Sequence, residues 1–155
     1  MSKRPSLRRR VGDLLAIPLG TKRFGFALVL ENPLLAFFDC CHATEEADVA
    51  SILTCPVVFK LWVMKNAMTS GRWLPIGHCH QIPAALLNDP WFFKKDPISG
   101  CLTITRDGGS GKTATIDECQ GLERAAVWDP EHVEDRLRDH FAGVPNKWVE
   151  SLKCR

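Results

Sequence analysis

The sequence predicts an α+β fold: a mostly antiparallel, strongly bent β-sheet, open or partly closed into a barrel, with a C-terminal amphipathic helix packed against it. Two observations lead to this prediction. Short stretches that alternate apolar and polar residues, separated by turn residues, occupy most of the chain. One well-delimited helix with a single apolar face follows near the C-terminus. The 155 residues, 45% of them hydrophobic, are enough for one domain with a sizeable core.

Three strands are predicted at the start of the folded region. The stretches VGDLLAIPLG, RFGFALVLE and PLLAFFDCC are separated by turn residues, which indicates an antiparallel meander. In the second stretch, large apolar residues recur at every second position and should line one face of the strand: Phe24, Phe26, Leu28 and Leu30.

The middle of the chain predicts a short helix, a second pair of strands and a helical turn. ATEEADVASIL is typical of a short helix capped by Thr44. VVFKLWVMKNAM and GRWLPIG predict two strands joined by a turn at residues 69–71, and Pro75 indicates an edge or a bulge in the second. IPAALLNDPWFF predicts a helical turn opened by Pro83, followed by an irregular segment.

The stretch RDGGSGKTAT is similar to a nucleotide-binding loop but lacks one of its glycines. Such a loop needs a glycine where Arg106 stands, and a helix must begin directly after the lysine. The flanking stretches CLTITR and TATID alternate apolar and polar residues instead, as strands do. A β-hairpin is therefore predicted, and ATP or GTP hydrolysis is not.

The clearest helix is WDPEHVEDRLRDHFAG. Asp129 is placed to cap it, Pro130 suits its first position, and Gly143 provides a stop signal. PNKWVESL predicts a short final helix. Residues that recur every four positions should face the sheet: Val133, Leu137 and Phe141.

Charge is unevenly distributed along the chain. Residues 1–10 hold five Lys or Arg and no acid, and we expect them to form a disordered basic arm before a single domain at 11–155. The domain itself is mildly acidic, with 15 Lys or Arg against 18 Asp or Glu. Residues 117–139 hold eight acids and three arginines, and a negative surface of this kind favours a basic partner.

The C-terminal helix supplies the predicted partner-binding residues. Its acids recur along the side opposite the apolar face, and Glu134 and Arg138 are expected to pair. A solvated helix face, with the partner bound elsewhere, is the alternative interpretation. The predicted partner-binding residues are Glu131, Glu134, Asp135, Arg138 and Asp139.

No catalytic residue, cofactor or metal is predicted. His78 and His80 could share a zinc ion on one strand face, but two ligands do not make a site. No G-x-S-x-G motif is present. The seven cysteines include no C-x-x-C pair, which favours a reduced, cytoplasmic protein, and no apolar stretch is long enough to span a membrane. The five tryptophans are interpreted as core anchors.

Several of these stretches occur together in one known family. VGDLLAIPLG, RFGFALVLE, LLAFFD, GRWLPIG, CQGLERAAVWDPEHVEDRLRDHF and PNKWVES follow one another from about Val11 to Ser151. Together they resemble the bacterial polymorphic-toxin immunity proteins of immunity protein family 26. The resemblance implies a small, mostly β, non-catalytic protein that binds a cognate toxin, for example a nuclease, and neutralises it in the cytoplasm. GHCHQIP and the basic arm depart from the family pattern.

Two other functions remain open from the sequence. The first is a small nucleic-acid-associated binding module, in which the cations of residues 1–10 contact phosphates. The second is a metal-dependent hydrolase that uses His78 and His80.

Overall fold

The computed structural model describes residues 7–106 and 111–155, which form two β-sheets and five α-helices. The strands are β1 (Asp13–Pro18), β2 (Phe24–Val29), β3 (Leu34–Phe38), β4 (Val57–Val63), β5 (Leu74–His78), β6 (Phe92–Lys95), β7 (Leu102–Thr105), β8 (Lys112–Thr113), β9 (Glu123–Arg124) and β10 (Val127–Trp128). The helices are α1 (Val49–Leu53), α2 (Asn66–Thr69), α3 (Ile116–Cys119), α4 (Pro130–Ala142) and α5 (Lys147–Leu152), with one 3₁₀ turn at Ala84–Leu86.

The larger sheet has the strand order β10-β4-β3-β2-β1-β5, and the smaller has the order β8-β7-β6-β9. All pairings are antiparallel except β10 with β4 and β9 with β6. The larger sheet is open, because β10 and β5 form its two edges. The predicted α+β class and the predicted meander of β1, β2 and β3 are confirmed, and the sheet does not close into a barrel.

Both faces of the larger sheet are buried. Successive residues of β3 point to opposite sides, so that Leu35 and Phe37 join one apolar cluster while Ala36 and Phe38 join another. The first cluster includes α4 and α5 residues, and we call this side the α4 face. The second includes residues of α1, the 3₁₀ turn and β6, and we call this side the α1 face. Burial on both faces explains why LLAFF is continuously apolar.

Helix α1 packs closely on β5 at Gly77, and this contact gives a testable prediction. A methyl group at this position would lie 2.4 Å from Val49 Cγ2. Gly77→Ala should therefore lower the free energy of unfolding by about 1–3 kcal/mol, because the core is overpacked. Val49→Ala removes the obstructing methyl groups, so the double variant should lose less stability than the sum of the two single variants in urea denaturation. Additive losses would show that this contact does not limit the packing.

Three predicted elements differ from the structure. The first helix begins at Val49 and not near Thr44, because Asp48 caps it by accepting from Ser51 N at 3.2 Å. The strands β4 and β5 do not pair with each other. β4 lies between β3 and β10, whereas α2 redirects the chain and β5 pairs with β1 at the opposite edge. The predicted irregular segment at Phe92 is a strand, since β7 supplies hydrogen-bond partners for β6.

Two predictions about turn chemistry are confirmed in part or in full. β5 lies at an edge, and its register with β1 shifts beside Pro75, as predicted. β7 and β8 form the predicted hairpin, whose loop at residues 107–110 lies outside the described residues. The second strand of the hairpin is shorter than TATID, because Thr115 forms a capping box with Glu118 and begins α3.

Candidate partner-binding surface

Local sequence signals fix both ends of α4. The Asp129 carboxylate accepts a hydrogen bond from Glu131 N at 2.9 Å, and Pro130 occupies the first helical position. At the other end Gly143 has a φ of 70°, the left-handed conformation that glycine adopts without strain. The predicted cap, first residue and stop signal are all confirmed.

The apolar side of α4 also lies as predicted. Val133 and Leu137 are fully buried in the cluster on the α4 face, and Phe141 packs against it. Helix α5 adds Trp148 and Leu152 to the edge of the same cluster. Helix α4 is therefore docked on the sheet along its length, and its opposite side is available to a partner.

Glu134 does not belong to the exposed side of α4. It is 5% exposed and accepts hydrogen bonds from Arg72 Nε at 2.6 Å and Arg72 Nη2 at 2.8 Å. The buried indole of Trp73 donates a third bond to the same carboxylate at 2.9 Å. The predicted pairing of Glu134 with Arg138 is wrong, because the helix is rotated so that residue 134 points toward the segment before β5. The hydrogen bond to Glu134 also raises the pKa of the Arg72 guanidinium.

Asp135 joins α4 to α5. Arg138 Nη2 donates to Asp135 Oδ1 at 2.6 Å, and the Trp148 indole donates to Asp135 Oδ2 at 3.2 Å. The bond from Arg138, supported by the one from Trp148, holds the pKa of the Asp135 carboxyl below its usual range. Arg138, which was expected to pair with Glu134, therefore pairs with the neighbouring Asp135, three residues before it in the helix.

The lowered pKa of Asp135 predicts an acid-sensitive contact between α4 and α5. Its contribution to stability is present above the ordinary carboxyl pKa of about 3.9 and is lost as the pH falls through the lower pKa of the folded state. The melting temperature of the wild type should therefore fall more steeply below about pH 5 than that of Asp135→Asn. Asp117→Asn, which removes an exposed carboxylate of α3, is the control. Parallel curves for wild type and Asp135→Asn would contradict the assignment.

The other predicted residues lie on the outer side of α4. The Glu131 side chain is 71% exposed and lies 3.9 Å from Arg72. Asp139 accepts from Asn146 Nδ2 at 2.8 Å, and Asn146 in turn caps α5 by accepting from Val149 N at 3.0 Å. We call Glu131, Asp135, Arg138 and Asp139 the acidic ridge. That the ridge contacts a partner stays a prediction.

An apolar groove beside the acidic ridge was not predicted. It lies between β10, the start of α4 and α5, and has a volume of about 390 Å³. Met64 and Val127 line it and are 42% and 50% exposed, and Trp128 is buried beneath. His132 stacks on Trp148 with ring centroids 3.7 Å apart and forms one wall. We call this feature the α4–α5 groove. No local sequence pattern indicates it, because its residues come from four separate elements.

A comparison of sequences identifies the family. The sequence model of Immunity protein 26 matches residues 10–100, which is more than half of the chain. The chain belongs to the Immunity protein 26 family. No curated protein and no solved structure is significantly similar to it. The matched region spans β1 to β6, and the acidic ridge and all of the lining of the α4–α5 groove except Met64 lie beyond it.

The histidine pair of this Immunity protein 26 chain lies at the end of β5. His78 Nδ1 lies 2.8 Å from Asp13 Oδ1, and the rings of His78 and His80 are 4.7 Å apart between centroids. Among residues 7–106 and 111–155, no group of three His, Cys, Asp or Glu side chains is arranged to hold a metal ion. The histidines thus have a local carboxylate partner but lack the third ligand typical of zinc sites there.

The seven cysteines of this immunity protein are free thiols. Burial and the neighbouring Cys55 raise the pKa of Cys40 to about 12, which keeps this thiol protonated and weakly reactive. Cys119 and Cys154 are buried together beneath the smaller sheet.

In the part of the chain that the structure describes, none of the helices has the length and apolar character needed to span a membrane.

The basic arm falls only partly within the described residues. Lys3 and Arg4 lie outside them, whereas Arg9 donates to the backbone carbonyls of Leu30 and Leu34. Arg9 therefore has hydrogen-bond partners within the domain.

The tryptophans differ in burial. Trp73 and Trp128 are buried as predicted, but Trp91 is 38% exposed beside Arg106 and Lys112.

Proposed function

We propose that this immunity protein binds a cognate toxin and neutralises it by covering the toxin's working surface, without chemical change to either protein. Membership of the Immunity protein 26 family supports a toxin as partner. The free cysteines support a place of action in the cytoplasm. A nuclease is a suitable toxin, because proteins that bind nucleic acid present basic surfaces.

The rigidity of the acidic ridge is the observation that carries the proposal. α4 is capped at both ends, docked through Val133 and Leu137, and tied to the rest of the protein by Glu134. A preformed surface loses less conformational entropy on binding than a mobile one. An inhibitor that acts by occlusion needs such a surface and needs no nucleophile.

The charge of the ridge suits a basic partner. Glu131 is its most exposed carboxylate, and its nearest cation, Arg72, is already bound to Glu134. Within the described residues, the hydrogen-bond donor of the Asp139 carboxylate is the neutral amide of Asn146. Charges at the rim of an interface mainly increase the association rate and the specificity, and their effect falls with salt.

The proposal is tested by coexpression of the chain with the toxin domain encoded beside its gene, scored by cell survival and copurification. Glu131→Lys should weaken binding about fivefold, mainly through a slower association at low salt. Glu45→Lys is the matched control, because Glu45 is an exposed acid that precedes α1 on the opposite face of the sheet. Equal protection and equal association rates for both variants would show that the acidic ridge does not contact the toxin.

A further inference from the structure

The α4–α5 groove is an apolar surface left open beside the acidic ridge. Met64, which directly follows β4, and Val127, in the edge strand β10, expose about half of their surface at its mouth. Trp128, beneath them, belongs to the main core and is 5% exposed. The groove therefore has a rigid floor, and an apolar group that entered it would displace water from apolar walls.

The indole N–H of Trp148, in the groove wall, already has a hydrogen-bond partner within the protein. The Trp148 indole N–H donates to Asp135, and the His132 ring stacks on Trp148 at 3.7 Å. The carbon surface of this wall needs no further hydrogen bond. Its volume of about 390 Å³ lies within the range of about 300–1,000 Å³ for pockets that enclose ligand groups. The Trp148 part of the wall thus offers contact area without a desolvation cost for its indole N–H.

The surroundings of the groove are acidic. Residues 127–152, which supply most of the lining, hold six carboxylates and three cations. Arg136 is bound to Glu123 and Arg138 to Asp135. Glu134 and Glu150 are bound in turn to Arg72 and Lys153. The carboxylates of this segment that have no cation of their own within the described residues are Asp129, Glu131 and Asp139. Lys147, over the Trp148 ring at 4.5 Å, is the remaining cation of that segment. Asp129 lines the groove on the other side, directly before α4, and Glu131 follows it two residues later in the first turn of that helix.

We propose that the α4–α5 groove holds a bulky apolar side chain, such as leucine or phenylalanine, from a lysine- and arginine-rich segment of the toxin. The inference rests on the proposed function and adds the chemistry of the bound segment. The apolar side chain enters between Val127 and Trp148, and the flanking cations lie against Asp129 and Glu131. This is the arrangement of a buried anchor surrounded by a polar rim that is common in protein interfaces.

The test uses short fluorescein-labelled peptides of lysine and arginine around one central leucine, with alanine-centred and glutamate-flanked peptides as controls. The full chain should bind the leucine peptide saturably, and the alanine peptide about tenfold more weakly. The indole N–H signal of Trp148 should shift in NMR spectra. Val127→Lys should lower the affinity about tenfold, because it places a charge in the apolar groove.

Leu87→Lys is the matched control for Val127→Lys. Leu87 is 55% exposed, next to a 3₁₀ turn that packs on the α1 face, so its replacement should leave peptide binding unchanged. Absence of saturable binding, or equal affinity of the Val127→Lys variant, overturns the inference. A concentration-dependent dimer that Val127→Lys abolishes also overturns it, since a second copy would then fill the groove.

The two proposals fail separately. Protection against the neighbouring toxin without peptide binding would rule out the groove as a binding site and leave the proposed function intact. Peptide binding without protection would rule out neutralisation of that toxin and leave the groove as a binding site for basic segments that carry an apolar side chain. Loss of both protection and peptide binding in the folded Val127→Lys variant is the result that we expect.

Discussion

Replacement of Glu134 by alanine is expected to lower the free energy of unfolding by about 3 kcal/mol, the largest effect of any polar substitution in α4. The substitution leaves the indole N–H of fully buried Trp73 without an acceptor and removes both hydrogen bonds to Arg72. The Trp73 indole stays buried but loses its acceptor. The desolvation cost of its unpaired N–H is larger than the stabilisation that an ordinary surface ion pair provides. Urea denaturation monitored by tryptophan fluorescence measures the change.

Glu134→Gln is the matched control, because a glutamine oxygen still accepts from Trp73 Nε1 while the charge opposite Arg72 is lost. Its cost should be about 1 kcal/mol, the value of a charge-assisted bond reduced to a neutral one. Losses below about 0.5 kcal/mol in the alanine variant would mean that water replaces the carboxylate. In that case Glu134 would not tie α4 to the segment before β5.

Phe37→Ala and Phe38→Ala should each destabilise the protein by about 3–5 kcal/mol. These residues are neighbours in the chain, and both are fully buried. Phe37 packs on the α4 face, against Phe59 at 5.1 Å and Trp73 at 6.0 Å between ring centroids, whereas Phe38 packs on the α1 face. A sheet covered on one side only would tolerate one of the two substitutions.

Phe24→Ala provides the comparison for this pair. Phe24 begins β2 and is only partly buried, so its truncation should cost less than either core substitution. The thermal midpoint and the denaturant midpoint should rank the three variants in the same order. A small loss for Phe38→Ala alone would contradict the burial of the α1 face. Phe37→Leu and Phe38→Leu give smaller changes that remain measurable if the alanine variants do not fold.

Features that depend on neighbouring residues in the chain could be predicted from the sequence. The cap, first position and stop of α4 lie within the 15 residues Asp129–Gly143, and the meander of β1, β2 and β3 requires only alternation and short turns. The hairpin of β7 and β8 follows for the same reason. In each case the interaction that fixes the element is made by residues close in sequence.

Features that depend on distant residues could not be predicted. β5 pairs with β1 and not with β4, because the choice depends on which sheet edge is free once α2 has redirected the chain. The rotation of α4 that buries Glu134 depends on Arg72 and Trp73, more than 60 positions earlier. The helical periodicity alone predicts that Glu134 lies outside the buried stripe of α4, because residue 134 is at the border of the apolar residues and is not one of them.

The candidate site shows the same division. The acidic ridge was recognisable from the spacing of its acids in one helix, although its pairing was not. The α4–α5 groove requires Met64, Val127 and Trp148 to meet, and three separate elements bring them together. The sequence of one element does not show which residues of other elements will lie beside it, and these side chains form an exposed groove only in the packed structure.

Neutralisation by binding, without catalysis, can be measured by titration of the purified toxin's activity with the purified immunity protein. We expect toxin activity to fall linearly, to reach zero near one molecule of immunity protein per toxin, and to recover fully when the complex is separated. Complete inactivation by a small fraction of one equivalent, with no recovery after separation, would show instead that one molecule of immunity protein inactivates many toxin molecules by chemical change.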